Sequence, residues 1–228
     1  MRIFESIKNL TKGELFLWIS SLVIIFVSFF IFQNTNYVNL ITSLIGVTSL
    51  IFLAKGDAIG QVLMIIFSLV YGYISIAFKY YGEAITYIGM TLPISILSLY
   101  IWLKNPFSKH EVKVEDVSIK KIIYLLIISI VVTFIFYYIL KALDTKNIII
   151  STFSITTSFI AASLQAIRSR YYAIAYALND IVLIILWSIA LKEDLGYMSL
   201  VICFIIFFIN DIYGFINWTR IKNKQKII

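Results

Sequence analysis

The sequence predicts an all-α, polytopic membrane protein with eight transmembrane helices, and three observations support that fold class. First, 61% of the 228 residues are hydrophobic and only 14% are charged, whereas soluble domains carry about 25% charged residues. Second, the chain contains eight apolar runs of about the 20 residues that a helix needs to cross a bilayer. Third, the lysines and arginines are distributed between the runs as the positive-inside rule requires.

The eight apolar runs follow one another with polar segments between them. They cover residues 14–32, 37–54, 58–79, 84–103, 119–140, 147–167, 172–191 and 197–218. No small-residue cleavage site follows the first run, so we expect a span there and not a cleaved signal peptide. Pro93 lies inside the fourth run, and we expect a kink there because proline removes a backbone donor.

The basic residues predict the orientation in the cell membrane. If the N-terminus is inside, 15 of the 19 lysines and arginines fall on the inner side and only four on the outer side. An odd number of spans would destroy this partition, so we expect eight spans with both termini in the cytoplasm. The net charge of +7 has the same origin, and nucleic acid is not an expected partner.

The chain also repeats itself at low identity. Displaced by 116 residues, Trp102 falls on Trp218 and Lys104 falls on Arg220. This register predicts one transport domain with two parallel repeats, residues 37–104 and 147–220, joined by a linker span at 119–140. The span 14–32 is then a peripheral addition. Transporters are often built from such repeats, with the substrate site between them.

Each of the last two runs contains an Asn-Asp pair, Asn179-Asp180 and Asn210-Asp211. A carboxylate at the centre of a membrane costs roughly 3 kcal/mol or more and usually faces a protein interior or a watery cavity. We therefore expect these four side chains to share a polar cavity.

Several segments resemble the PnuC family of nicotinamide riboside (nicotinamide mononucleotide) transporters. They are Tyr80-Tyr81-Gly82-Glu83, Gly89-Met90-Thr91, Pro93, Trp102-Leu103-Lys104-Asn105-Pro106 and Asn210-Asp211-Ile212-Tyr213-Gly214-Phe215-Ile216-Asn217-Trp218. The resemblance implies a three-plus-one-plus-three helix arrangement related to the SWEET sugar transporters. It also implies facilitated diffusion, with a cytoplasmic kinase that traps the nucleoside by phosphorylating it.

The resemblance leaves the substrate open. Family members that take nicotinamide riboside tend to carry a tryptophan pair shortly before an asparagine in the span that corresponds to 172–191. This chain has Tyr172 and Tyr176 ahead of Asn179. Close relatives within the family carry thiamine, riboflavin or deoxynucleosides, so these ligands stay candidates beside nicotinamide riboside.

A nucleoside-like ligand needs aromatic faces for its ring and amide side chains for its polar edge. The candidate substrate-binding residues are Gln61, Tyr87, Tyr176, Asn179, Asp180, Trp187, Asn210, Asp211, Tyr213 and Asn217. The alternative for the asparagines is a helix-to-helix hydrogen bond, and for the aspartates it is structural pairing. Trp102, Trp218 and Tyr172 lie near span ends, where an aromatic belt at the membrane interface is expected.

Other chemistry has little support in the sequence. No glycine-rich phosphate loop is present, so we expect no ATPase. The single histidine, His110, and the single cysteine, Cys203, are far apart, so we expect neither a metal site nor a cofactor. The alternative to a transporter is an integral membrane enzyme that acts on a lipid-linked substrate. The sequence leaves open whether identical chains associate.

Overall fold

The computed structural model describes residues 2–32, 37–77, 84–145, 147–192 and 195–227 of the chain. These ranges are almost wholly helical. The α-helices are α1 (Arg2–Lys8), α2 (Lys12–Ile31), α3 (Tyr37–Ala54), α4 (Ile59–Ala77), α5 (Leu92–Lys104), α6 (Ile119–Ala142), α7 (Ile148–Ala166), α8 (Tyr172–Ala190) and α9 (Met198–Gln225). A π-helix, Ile85–Thr91, runs directly into α5, and a 3-10 turn, Leu195–Tyr197, leads into α9.

The predicted all-α, multi-pass membrane fold is confirmed. Six helical segments of the described residues are long and apolar enough to cross a membrane, the π-helix and α5 together forming one of them. Shorter apolar helices within α3 and α4, Leu40–Ala54 and Ile59–Tyr73, correspond to the second and third predicted runs. The last helix continues to Gln225, seven residues beyond its predicted end at 218. The motif Tyr80–Glu83 lies outside the described residues.

The segment between α5 and α6 contains a small antiparallel hairpin that the sequence analysis did not predict. Its strands are β1 (Pro106–Ser108) and β2 (Glu111–Val112). The hairpin lies on the side of the bundle that carries both chain termini, because it contacts α1 and the end of α9.

Pro93 produces a π-helix where the sequence predicted a kink. Proline has no N–H, so the carbonyl of Gly89, four residues earlier, loses its helical donor. The backbone widens just before the proline, and Leu92 N donates to Tyr87 O, five residues back. The Thr91 hydroxyl also donates to the carbonyl of Thr86, at 3.2 Å. Short π-helical turns are rare and are often found at functional sites.

The helices pack as two groups of three. The first group contains α3, α4 and the π-helix with α5, and the second group contains α7, α8 and α9. The groups meet where α3 packs against α9 and where α5 packs against α7. Helix α6 packs mainly on α7, and the described residues leave most of its apolar surface uncovered.

Helix α2, the span that the sequence analysis placed outside the two repeats, packs against the bundle. It packs along α3 and α9, and its Ile25 and Phe29 are each only 3% exposed. A capping box fixes its first turn: the Thr11 hydroxyl accepts from Glu14 N at 3.3 Å, and the Glu14 carboxylate accepts from Thr11 N at 2.6 Å. Two backbone donors of the first turn are thereby satisfied.

Candidate functional site

Asp180 on α8 and Asp211 on α9 form an acid pair inside the bundle. They are 3% and 5% exposed, and their carboxyl groups lie close enough to interact electrostatically. Oδ2 of Asp180 has no hydrogen-bond partner among the described residues. Two carboxyl groups thus lie close together inside the bundle, and one buried acceptor remains for another partner.

Asn179 is buried beside the acid pair and is tied to α7. Its Oδ1 accepts from the hydroxyls of Thr157, at 2.8 Å, and Ser154, at 3.4 Å. The serine- and threonine-rich helix α7 thus supplies donors to a polar residue of its neighbour, as is common between helices in membranes. These bonds fix the orientation of the Asn179 amide.

Asn210 and Tyr213 on α9 face α2 and not the neighbourhood of Asn179. Asn210 Nδ2 donates to the Ser21 hydroxyl at 3.1 Å and to the carbonyl of Ile206 at 2.8 Å. The Tyr213 hydroxyl donates to Glu14 Oε1 at 2.9 Å. The expectation that both asparagine amides point into one cavity does not match these contacts, because Asn179 binds α7 and Asn210 binds α2.

Asn217 and Glu14 also serve contacts between helices. Asn217 Nδ2 donates to the carbonyl of Ala54, at the end of α3, at 2.9 Å. Glu14 is 2% exposed and forms an ion pair with Lys55 at 2.9 Å, besides accepting from Tyr213. Together these bonds attach α2 and α9 to the end of α3.

Gln61 on α4 is fully buried, and neither its Nε2 nor its Oε1 has a hydrogen-bond partner among the described residues. Gln165 on α7 is 1% exposed, and its Nε2 likewise has no described partner. A buried polar group without a partner costs about 1–3 kcal/mol, and such groups call for a specific explanation. The sequence analysis selected Gln61 but missed Gln165, which sits at a helix end where an exposed amide is the ordinary expectation.

An aromatic trio links α4 to the π-helix. The ring centroids of Phe67 and Tyr71 lie 5.5 Å apart, those of Phe67 and Tyr87 lie 5.6 Å apart, and those of Tyr71 and Tyr87 lie 4.5 Å apart. The close approach of the two elements depends on Gly72, where a Cβ would collide with the side chain of Ile88. The π-helix therefore carries Tyr87, a predicted site residue, into an aromatic cluster.

Two further aromatic residues of the predicted stripe lie on α8. Tyr176 is half-buried and close enough to both carboxyls of the acid pair to interact with them electrostatically. Trp187 lies about three turns further along α8, 8% exposed, against Tyr197 at a centroid distance of 5.3 Å. Its Nε1 has no hydrogen-bond partner among the described residues.

Trp102 and Trp218, which the repeat register pairs, form a tryptophan pair between the two helix groups. Their centroids lie 5.4 Å apart, and Tyr172 packs against Trp218 at 4.8 Å. Trp102 Nε1 donates to the carbonyl of Gln165 at 3.0 Å, and Trp218 Nε1 donates to the carbonyl of Leu53 at 2.8 Å. The three rings are 1% exposed or less, so the aromatic-belt interpretation of these residues is wrong.

The turns that end α3 and α7 are equivalent. Gly56 and Arg168, 112 residues apart, both adopt a left-handed backbone, with φ of 75° and 60°. The next residues, Asp57 and Ser169, each accept from the backbone N–H two positions later, at 3.1 and 3.3 Å. The same local structure thus occurs at the same place in both helix groups.

Comparison with known proteins agrees with this architecture. Residues 36–220 match the family model described as nicotinamide mononucleotide transporter. A curated relative, the nicotinamide riboside transporter PnuC of Neisseria mucosa, is 22% identical over 202 residues, which make up 86% of this chain and 77% of the relative. Helices α1 and α2 precede the segment that matches the family model.

A solved structure has the same fold. The crystal structure of the vitamin B3 transporter PnuC superimposes with a TM-score of 0.81 and covers 95% of this chain and 94% of that chain, at 22% identity. The family match extends over most of the sequence and includes the acid pair, the aromatic trio and the tryptophan pair. The chain therefore belongs to the nicotinamide mononucleotide transporter family and is a multi-pass membrane transporter, not an enzyme.

Proposed function

We propose that this protein carries nicotinamide riboside, or a closely related nucleoside-like vitamin, across the cell membrane by facilitated diffusion. The observation that carries the proposal is Gln61, a fully buried amide with neither end paired among the described residues, inside a membrane bundle lined with aromatic rings. A ligand with an amide or hydroxyl edge would satisfy both ends of this side chain. The relative named as a nicotinamide riboside transporter supports that choice of ligand.

The candidate residues divide into ligand-binding and packing groups. We assign the polar edge of the ligand to Gln61 and Asn179. The flat ring is assigned to Tyr87 of the aromatic trio, or to Tyr176 or Trp187, because aromatic faces attract a cationic ring by roughly 0.5–2 kcal/mol. The acid pair would balance the positive charge of a pyridinium. Asn210, Tyr213 and Asn217 serve helix packing, since protein groups already bind their donors.

We further propose that the two helix groups are parallel repeats, residues 37–104 and 147–220, with 119–140 as the linker. The equivalent turns at Gly56 and Arg168 support this division. So does the exchange of hydrogen bonds by Trp102 and Trp218, each of which reaches the first helix of the other group. A substrate path between repeats is the usual arrangement in transporters of this type.

The 15-to-4 distribution of basic residues supports cytoplasmic termini. In that orientation the tryptophan pair and the hairpin between α5 and α6 are cytoplasmic. A cytoplasmic kinase that phosphorylates the nucleoside would then keep the gradient directed inward without any contact with this protein. Association of identical chains stays a prediction, as does the relation to the SWEET arrangement.

Counterflow in proteoliposomes tests the substrate. Vesicles loaded with unlabelled nicotinamide riboside should take up a labelled trace of the same compound, and thiamine, riboflavin and deoxynucleosides should be compared at equal concentration. The compound with the highest initial rate of counterflow at equal concentration is the preferred substrate. Exchange of none of the four compounds, with a folded protein in the vesicles, would refute the proposed function.

A further inference from the structure

The chain between α5 and α6, residues 105–118, crosses from the first helix group to the second on the side of the termini. This segment, here called the strap, contains the hairpin β1–β2. We propose that the strap is a latch, which holds this side of the substrate path closed and must release the second helix group whenever the path opens to this side. The inference rests on the proposed transport function, and it assigns the strap a part in the cycle that neither composition nor the repeat predicts.

The strap is joined firmly to the first group. It emerges from α5, and Lys113 N donates back to the carbonyl of Asn105 at 2.9 Å. Val112, 3% exposed, donates its N–H to the carbonyl of Gly56 at 3.0 Å. His110 Nδ1 lies 3.2 Å from Oδ2 of Asp57, a carboxylate that is itself 1% exposed. These contacts are backbone bonds or buried side-chain bonds, which water cannot easily replace.

Helix α1 covers the same contact. The Ser6 hydroxyl donates to Asp57 Oδ2 at 2.6 Å, and Glu5 accepts from Lys109 Nζ at 2.6 Å. The hairpin is therefore held between α1 and the turn that ends α3. We infer that the strap, α1 and the first group move as one body.

The contacts of the strap with the second group combine one backbone hydrogen bond with ion pairs near the surface. Glu115 N donates to the carbonyl of Arg168 at 3.0 Å, and the Arg168 guanidinium reaches Glu115 Oε2 at 3.4 Å and the carbonyl of Lys113 at 3.2 Å. The Glu115 side chain is 39% exposed. Ion pairs that remain this accessible to water contribute little to stability, so this attachment can break and re-form during transport.

A second attachment uses the end of α9. Gln225 Oε1 accepts from Val114 N at 2.8 Å, and Gln225 Nε2 donates to the carbonyl of Val112 at 3.0 Å. Lys222 forms an ion pair with Asp116, and Lys224 Nζ lies 3.5 Å from Glu111 Oε2. In each pair one side chain, Asp116 or Lys224, is exposed. The Gln225 side chain of α9 therefore forms two hydrogen bonds with the backbone of the strap.

The strap lies over equivalent points of the two groups. It donates one N–H to the carbonyl of Gly56 and another, three residues later in the chain, to the carbonyl of Arg168. These are the two left-handed turns that the repeat relates. The tryptophan pair is bonded to the helices that end at these same turns, through Leu53 and Gln165. Separation of the two groups on this side must therefore break the tryptophan bonds and the attachments of the strap to Arg168 and Gln225.

A reversible crosslink tests the latch. The variant E115C/R168C in a Cys203→Ser background replaces the two residues whose backbones are hydrogen-bonded across the groups. Such a bond brings the Cα atoms near the separation of about 4.4–6.8 Å that a disulfide spans. Oxidation should abolish transport while ligand binding is retained from the opposite side, and reduction should restore transport.

A matched control uses the strap alone. The variant N105C/K113C joins two residues with the same type of backbone bond, at 2.9 Å, but both belong to the first body. Its oxidised form should transport as fast as its reduced form. If oxidation stops transport equally in the control, the effect of the crosslink is not release of the second group, and the latch is refuted.

Alkylation of a buried cysteine, measured without ligand, tests the latch independently of the proposed transport function. Ala54, at the end of α3, is 2% exposed and packs against Gly214 of α9, where the two groups meet. A cysteine added there, Ala54→Cys, should react with a small alkylating reagent in the reduced crosslink variant and be protected in the oxidised one, with the site identified by mass spectrometry. If this protection is seen but no tested compound is transported, the latch stands and the proposed function fails. If the disulfide is complete and both transport and labelling continue, or if no disulfide forms, the latch is refuted.

Discussion

At the scale of single residues, the buried polar groups fall into two classes with different consequences. Asn217 and Tyr213 have protein partners, and their role is helix packing, whereas Asn210 is partnered at Nδ2 but not at Oδ1. Gln61 and the Nε1 of Trp187 are desolvated without a described partner. A polar group of the second class destabilises the protein unless a ligand pairs with it, which is why we assign ligand binding to this class.

The two classes predict opposite effects of mutation, and Gln61→Leu tests the class without partners. The leucine has a similar size and removes two unpaired polar atoms, so the melting temperature in detergent should stay the same or rise. The affinity for the transported nucleoside should fall by roughly five- to a hundredfold, because the lost hydrogen bonds are worth about 1–3 kcal/mol. Calorimetry and a thermal melt on the same sample measure both quantities.

Asn217→Leu is the matched comparison on the opposite class. It leaves the carbonyl of Ala54 without its donor and should lower the melting temperature while the folded fraction binds ligand normally. If Asn217→Leu instead weakens binding and Gln61→Leu does not, the assignment of the two classes is reversed.

The sequence predicted the buried polar stripe on α8 but not the directions of the asparagines. Adjacent residues of a helix point about 100° apart, so Asn210 and Asp211 face different neighbours, α2 and α8 respectively. Which neighbour lies on which side depends on the packing of helices distant in sequence. For the same reason a tryptophan near a span end could not be assigned to the interface or to the core, and Trp102 and Trp218 proved to be buried.

At the scale of elements, the apolar runs predicted the helices well because length and hydropathy are local properties. The features that depend on partners were missed. The π-helix precedes Pro93, which cannot donate a backbone hydrogen bond. The Thr91 hydroxyl and Leu92 N donate instead to carbonyls five residues earlier. The role of α2 depends on Glu14, which sits where a cap is expected but also reaches Lys55 and Tyr213 across the bundle.

Glu14→Gln tests the structural role of α2. The carboxylate is 3% exposed and Lys55 is 16% exposed, and removing one partner of a buried ion pair costs about 3 kcal/mol or more. The melting temperature should fall by several degrees, with unchanged affinity for ligand. The double variant Glu14→Gln/Lys55→Met removes both charges and should recover much of the loss. A single variant as stable as the wild type would show that α2 is not held by this pair.

At the scale of the whole molecule, the family match and the apolar helices describe one multi-pass membrane transporter, and the latch that we propose closes its path on the side of the termini. The weak register of 116 residues in the sequence corresponds to the tryptophan pair, whose two members exchange hydrogen bonds between the groups. The strap was not predictable, because its contacts join a loop to three segments that are distant in sequence. The side on which the strap lies follows from the orientation, which can be tested separately.

Single cysteines in a Cys203→Ser background test that orientation. Ala142, at the exposed end of α6, and Asn223, exposed near the end of α9, lie on opposite sides of the membrane in the proposed topology. A membrane-impermeant maleimide added to intact cells should label Ala142→Cys at once and Asn223→Cys only after permeabilisation. The reverse pattern would place the termini and the strap outside.

The central claim is that the protein equilibrates a nucleoside-like vitamin without coupling to an energy source, and counterflow under controlled gradients tests it most directly. Proteoliposomes loaded with unlabelled substrate should accumulate a labelled trace transiently and then lose it. This time course should be the same without ATP and with the proton and sodium gradients collapsed. An imposed inward proton gradient should produce no lasting accumulation above the outside concentration. Uphill accumulation that follows the proton gradient would contradict the claim, and it would indicate the buried acid pair Asp180 and Asp211 as the coupling site.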